Sequence, residues 1–155
     1  MELRIRRARI EEAPRLTALT MRSKAYWGYD ERFMAAATAD LTFKPGIYLP
    51  DFHVYILENN TEWLGFCSLI PQEGERVELY DLFVEPKYIG KGYGKQLWNH
   101  AVRVARELGF RTMFLTADPN ARPFYERQGA VFIREKPSPV PGDRTNPMLE
   151  YRLRE

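Results

Sequence analysis

Apolar and charged side chains alternate over residues 3–9, the two-residue period of a half-exposed strand. Arg4, Arg6, Arg7 and Arg9 then read as the solvent face of an edge strand rather than as a basic patch. Residues 11–24 space Ala13, Leu16 and Leu19 as a helix does, and Pro14 is acceptable in its first turn. Tyr26-Trp27-Gly28-Tyr29 breaks that pattern, and Asp30 is the expected N-cap of a second helix through Met34 to about Leu41. Residues 43–50, with Pro45, Gly46 and Pro50, form a loop. Strands at 53–58 and 62–70 flank an Asn59-Asn60 turn, which predicts a hairpin. After a turn at 71–76 comes a third strand, 77–84, closed by Pro86. The clearest helix is 92–108, striped by Leu97, Ala101, Val104 and Leu108, with Gly109 as its C′ residue. A strand at 112–117 follows. Asp118-Pro119-Asn120 then opens a short helix that stops at Gly129, and strands at 130–135 and 147–153 are separated by a loop at 137–142.

The predicted order is β-α-α-β-β-β-α-β-α-β-β. Hairpins need antiparallel neighbours, whereas the strand–helix–strand unit over 77–117 needs a parallel, right-handed crossover. An α/β (α+β mixed) fold follows, with a mixed sheet of about seven strands and helices on both faces.

The 155 residues suit one domain, 1–155. A formal net charge of +2 gives no strong field for nucleic acid or an anionic membrane. The charged start, Met1-Glu2-Leu3-Arg4, is unlike a signal peptide, and no apolar run approaches the roughly 20 residues a bilayer span needs. The expectation is a cytoplasmic protein with neither a membrane nor a nucleic acid as partner. The lone Cys67 excludes an internal disulfide framework, and His53 and His100 lack metal-ligand spacing, so no metal is expected. Cys67 reads as buried and unreactive, and Trp63 and Trp98 as core or helix-packing residues.

One stretch carries candidate chemistry. Ile89-Gly90-Lys91-Gly92-Tyr93-Gly94-Lys95 lies between a predicted strand and a predicted helix. Residues without Cβ allow close approach and positive φ, so several N–H groups can converge on one anion. The helix start adds partial positive charge, which Lys91 and Lys95 reinforce. A phosphate or pyrophosphate is the natural guest. Gln96 after Gly94-Lys95 spoils a P-loop, and the glycine spacing with three preceding strands spoils a dinucleotide fingerprint. A plain turn is a poor explanation, because each glycine costs about 0.5–1 kcal/mol of conformational entropy.

With Leu82-Phe83-Val84-Glu85-Pro86 before this turn and Asn120-Ala121-Arg122-Pro123-Phe124-Tyr125-Glu126-Arg127-Gln128-Gly129-Ala130 after it, the sequence resembles the GNAT superfamily of acetyl-CoA-dependent N-acetyltransferases. The resemblance is strong over residues 77–132, and the outer segments agree in element order only. It implies a GNAT-type sheet whose parallel strands, 77–84 and 112–117, splay into a cofactor cleft. Backbone groups of Leu82, Phe83 and Val84 would pair with the pantetheine arm as an added strand. Amides of Gly90, Lys91, Gly92, Tyr93, Gly94 and Lys95 would cradle the pyrophosphate. Phe124, Tyr125 and Asn120 would complete the cofactor site, Asn120 also capping its helix. Ile89 stands where the family usually has Arg or Gln. That removes a side-chain donor and leaves the amides, so cofactor binding is expected to be weaker at most.

The implied reaction is direct attack of a primary amine on acetyl-CoA. The ammonium, with a pKa near 10, must first lose a proton, to a carboxylate directly or through water. Glu78 is the candidate base. It precedes Leu82 by an even number of residues, which puts both side chains on one face, and it stands as far before Ile89 as the family's strand glutamate stands before Arg or Gln. The plainer alternative is an exposed carboxylate paired with Arg111. Asp81 and Glu85 are weaker candidates. The Leu82 N–H would be the oxyanion donor, and Tyr125 the acid for the leaving thiolate, against a plain packing role.

Tyr26, Trp27 and Tyr29 fall where this fold overhangs the acceptor cleft, as an amine cage, an apolar clasp, or merely anchors of a helix corner. Asp30 and Glu31 suit a cationic acceptor and Lys24 an acidic one. Arg144 and Asn146 would close the site from the late loop. The implied partner is a small-molecule or peptide amine, and a homodimer is left open. Two alternatives stand beside the enzyme: a non-catalytic acyl-CoA sensor, and a modifier of protein amines or of a charged tRNA, the last disfavoured by the small net charge.

Overall fold

The computed structural model describes residues 2–154, so Met1 and Glu155 lie outside the described residues. Seven strands form one sheet in the order β1-β2-β3-β4-β5-β7-β6. They are β1 (Arg4–Arg7), β2 (His53–Glu58), β3 (Trp63–Gln72), β4 (Arg76–Val84), β5 (Thr112–Thr116), β6 (Val131–Pro137) and β7 (Thr145–Arg152). The helices are α1 (Ala13–Ala25), α2 (Glu31–Leu41), α3 (Tyr93–Glu107) and α4 (Arg122–Arg127). Every strand pairing is antiparallel except β4–β5. No helix among the described residues is long and apolar enough to cross a membrane.

Two apolar cores lie on opposite faces of this sheet. Leu16 and Leu19 of α1 pack with Val54, Ile56, Phe66 and the loop aromatics Phe43, Tyr48 and Phe52. On the other face Leu97, Ala101 and Ala105 of α3 and Tyr125 of α4 cover Leu57, Leu69, Val77, Leu79 and Met113. The all-buried run of β2 reflects burial from both sides.

The predicted elements appear in the predicted order, with shifted ends. Strand 3–9 shrinks to β1, because Ile10–Glu12 turns into a 3-10 helix ahead of α1. The turn at 71–76 contracts to 73–75 as β3 and β4 pair out to Gln72↔Arg76. The loop at 43–50 contains a 3-10 turn, Pro45–Tyr48. The last two strands pair from Pro137↔Thr145, which moves the loop between them to 138–144. The arginines of β1 are not simply solvated: Arg4 and Arg6 both reach Glu58, and Arg6 also holds Glu12. Asp30 caps α2 as expected, accepting from the Phe33 N–H at 2.8 Å.

β4 carries a bulge that the sequence does not announce. Opposite β3, Ser68 pairs with Asp81 but the next residue, Leu69, pairs with Leu79, so Tyr80 is extra. One inserted residue exchanges the faces of everything after it. Val77 and Leu79 face the α3 core, and beyond the bulge Leu82 and Val84 do so instead of Asp81 and Phe83. Glu78 therefore does not share a face with Leu82, which corrects the even-spacing argument. The bulge also decides where the main chain points. The Glu85 N–H donates to the Leu64 carbonyl at 2.8 Å. By the alternation of an antiparallel ladder, Phe83 and Asp81 also address β3, while the amides of Leu82 and Val84 turn the other way.

Candidate active site

On that other side β4 has lost its neighbour. Its parallel pairing with β5 runs from Arg76↔Thr112 only to Glu78↔Phe114, while β5 stays paired to β7 through Thr116↔Met148. The two strands splay, and a cavity of about 810 Å³ opens between them, walled by Leu82, Phe83 and Val84 on one edge and Leu115, Thr116 and Ala117 on the other. The exposed β4 edge can accept an added extended strand.

The glycine turn closes one end of this cavity. Gly90 and Gly92 have φ of 87° and 86°, and Gly92 is the N-cap of α3. Space is open where a Cβ would stand on either, so their conformation is what requires glycine. The first amides of the 15-residue α3 carry no intrahelical partner and face the turn. Gly94 serves packing instead. A Cβ there would stand 3.3 Å from the Phe124 ring, so its absence lets α4 pack against α3. Gly90, Gly92, Gly94, Lys95, Phe124 and Tyr125 all line the cavity, and Lys91 and Tyr93 do not. The cavity thus has the first amides of α3 and a lysine at one end and an unpaired strand edge along the middle, a set whose chemistry suits a phosphate-bearing ligand with an extended arm.

Tyr125 is 7% exposed, and its ring packs against Trp98 and Phe124 at centroid distances of 5.9 and 5.1 Å. Burial pushes its phenol above the ordinary value. Its hydroxyl makes no hydrogen bond among the described residues, and the residue lines the cavity.

Glu78 is half-buried on the face of the sheet opposite the α3 core and lines the cavity. Burial raises its carboxyl above the ordinary range, against the opposing charge of Lys136. Its contact is the Gln72 amide at 3.4 Å, while Arg111 reaches Glu75. Glu85 is engaged by Arg22 through two bonds of 2.8 and 2.7 Å. Asp81 is buried, and burial raises its carboxyl to about 6 even though Tyr48 and Ser68 donate to it.

Asp118 ties the far rim together. Lys24 from α1 and the Tyr29 hydroxyl both donate to its Oδ2. Burial works to raise this carboxyl, and Lys24, the Asn120 amide and Tyr29 outweigh it, holding it below the usual range. Asn120 is not the cap of its helix. Asp118 caps the 3-10 turn by accepting from the Asn120 N–H at 2.8 Å, and the Asn120 side chain turns to Asp118 and Tyr29. Arg144 donates to the Tyr29 hydroxyl at 3.0 Å and lies over the Tyr29 and Phe33 rings. Tyr29 therefore joins the α1–α2 corner to the late loop instead of lining the cavity. Of the three corner aromatics only Trp27 lines it, and Tyr26 stands outside, edge-on to Trp27. Asn146 also lines the cavity, but from the start of β7 rather than from the late loop, where of the two only Arg144 stands.

The sequence profile of the acetyltransferase (GNAT) family matches residues 16–130. An uncharacterized N-acetyltransferase of Methanocaldococcus jannaschii is 29% identical over 116 residues, covering 68% of this chain and 51% of its own length. The chain spans about half or less of the curated relatives it matches, from 37% to 51% of their lengths. Among solved structures, a GCN5-related N-acetyltransferase from Rhodopseudomonas palustris superposes with a TM-score of 0.79 at 22% identity, covering 96% of this chain and 94% of that one. The PaiA N-acetyltransferase of Thermoplasma acidophilum, in complex with coenzyme A, has a TM-score of 0.76 at 18% identity and covers 98% of this chain and 99% of its own. At such identities the likeness is one of fold.

Proposed function

Since the chain belongs to the acetyltransferase (GNAT) family, we propose that it moves an acetyl group from acetyl-CoA to a primary amine by direct attack within a ternary complex. The observation that carries this reading is the end of β4–β5 pairing at Glu78↔Phe114, beside the Gly90–Lys95 turn and in the same cavity. Acetyl-CoA supplies an activated acyl thioester. The amides from Gly90 to Lys95 hold its diphosphate, with Phe124 beside them and the main chain of Leu82, Phe83 and Val84 pairing the pantetheine arm. The Leu82 N–H faces the gap and stabilises negative charge developing on the acyl oxygen. Glu78, directly or through a water, takes the proton from the amine, and Tyr125 gives one to the departing sulfur. Trp27, on the cavity wall, contacts the acceptor.

A thermal shift with CoA and a scan of amine acceptors for thiol release test the assignment together. CoA at about 100 times its Kd stabilises the fold by about 2.7 kcal/mol. Small amines, amino acids and lysine or N-terminal peptides are the arms of the scan. A shift without turnover on any arm identifies an acyl-CoA sensor, and neither shift nor turnover ends the reading.

Glu78→Gln is expected to lower turnover by about 10²-fold or more with CoA affinity unchanged. The acid limb of the wild-type rate should lie above the ordinary carboxylate range: the base is lost as pH falls through its raised value, and the rate falls with it. A rate indifferent to Glu78→Gln would assign the proton transfer elsewhere.

A further inference from the structure

We infer that Asp81 is a positioning residue for this site: clamped by Tyr48 and Ser68, it holds the bulge in β4 that turns the Leu82 amide into the gap between β4 and β5. The inference rests on the acetyl-transfer reading for its purpose, but its structural half stands on the strand register.

The bulge determines which amide enters the gap. Before it, Val77 and Leu79 direct their main-chain groups towards β5, as the Val77↔Met113 pairing requires. Continued without interruption, that alternation would bring Asp81 and Phe83 to the gap and turn Leu82 towards β3. The extra residue, Tyr80, reverses the assignment. A bulge is not maintained by ladder bonds alone, because its inserted residue is unpaired.

Asp81 supplies the missing restraint. The hydroxyls of Tyr48 and Ser68 both donate to its Oδ2, Ser68 at 2.7 Å. Ser68 is its cross-strand partner on β3, and Tyr48 belongs to the 3-10 turn packed on the α1 side of the sheet, its ring stacked on Phe43 at 4.5 Å. The bulge is thus tied along the sheet and to the layer above it by two charge-assisted bonds. A carboxylate that is only 9% exposed is costly, and burial has already moved it towards its neutral form. An apolar residue would fill the site without that cost and would leave the bulge untied. Asp81 Oδ1 makes no hydrogen bond among the described residues, and Asp81 lines the cavity. An asparagine can therefore place its NH₂ where Oδ1 stands and keep accepting both hydroxyls at the other oxygen.

Asp81→Ala, Asp81→Asn, Ser68→Ala and Tyr48→Phe test this in the full chain. Thiol release from acetyl-CoA with the fastest acceptor of the scan gives kcat and KM, and calorimetry gives the Kd of CoA. Asp81→Ala should lose about tenfold or more in kcat, part of the roughly 10²–10³ that loss of an oxyanion donor costs, and should weaken CoA as well, because the Leu82 and Val84 amides that pair its arm turn with the slip. Asp81→Asn should recover most of it. Unchanged kcat in a folded Asp81→Ala overturns the inference, as does an Asp81→Asn no better than alanine, which would mean that the charge acts on substrate itself. Should Asp81→Ala fail to fold, Ser68→Ala and Tyr48→Phe each remove one tie, and wild-type kcat in both overturns it. A wild type with no turnover defeats the acetyl-transfer reading and leaves the register to decide. Cross-strand NMR contacts between residues 66–68 and 81–83 of the CoA-free protein should persist in Asp81→Asn and slip by one residue in Ser68→Ala or Asp81→Ala. A register unmoved in both overturns the inference.

Discussion

Tyr125→Phe should lower kcat by about 10²–10⁴-fold while the Kd of CoA stays within about twofold. The change deletes one oxygen from a residue whose ring is packed against Trp98 and Phe124, so the wall of the cavity keeps its shape. What is lost is the proton donor. Burial keeps the phenol protonated well past neutral pH, and no side chain among the described residues ties its hydroxyl elsewhere. A departing thiolate whose conjugate acid has a pKa of about 8.5 needs a proton less as the solution becomes alkaline. The deficit of Tyr125→Phe should therefore shrink as pH rises above about 9. Single-turnover thiol release from pH 6 to 10, with calorimetric CoA binding alongside, measures both quantities. A phenylalanine variant with wild-type kcat at pH 7 would reduce Tyr125 to a packing residue. A weakened CoA Kd with intact kcat would make it a cofactor contact alone.

The split between what the sequence disclosed and what it hid follows the range of the interactions involved. The stripe Leu97, Ala101, Val104 and the glycine after it are local signals, and α3 stands as Tyr93–Glu107 with Leu108 as its C-cap. The glycine turn is local too: the φ of 86° at Gly92 is a property of one residue, and the sequence marks it with the one side chain that tolerates it. The bulge at Tyr80 is not local. It exists because Ser68 and Tyr48, 13 and 33 residues away, converge on Asp81. Parity arguments along β4 fail there, as they did for Glu78 and Leu82. A signal was present in the sequence: a lone acid in the apolar stretch Leu79–Val84 must either find partners or unfold the strand.

Tyr29 and Asn120 show the same limit for function. Both are polar or aromatic residues at plausible places, and both are consumed by a tie around Asp118 that joins α1, the helix corner, the turn after β5 and, through Arg144, the late loop. Residue type reported their capacity to bind a ligand. Only the three-dimensional arrangement shows that this capacity is already used within the chain, while Trp27, close by on the same corner, keeps its ring on the cavity.

Gly65→Ala is expected to damage stability and CoA binding together, although Gly65 touches no ligand in the proposed arrangement. Gly65 lies on β3 opposite Val84. A Cβ built there would stand 2.5 Å from the Phe83 carbonyl oxygen and 2.9 Å from Leu97 Cδ1. The leucine can rotate, but the carbonyl belongs to the main chain of β4, so the strand or α3 must move. Overpacking of this kind costs about 1–3 kcal/mol, and more where backbone is displaced. At this chain length that corresponds to a fall in Tm of roughly 2–12 °C. The moving parts are the open edge of β4 and the helix whose first amides the proposed arrangement assigns to the diphosphate, so CoA affinity should fall by more than about tenfold, or 1.4 kcal/mol. Gly46→Ala is the matched control: nothing lies within 4 Å of its Cβ position, and it should change stability by less than about 0.5 kcal/mol. Thermal melts and CoA calorimetry on the two variants decide the matter. A Gly65→Ala protein with wild-type Tm and Kd would show that β3 can retreat from β4 without cost. One that melts early but binds CoA normally would separate the packing of the sheet from the geometry of the cleft.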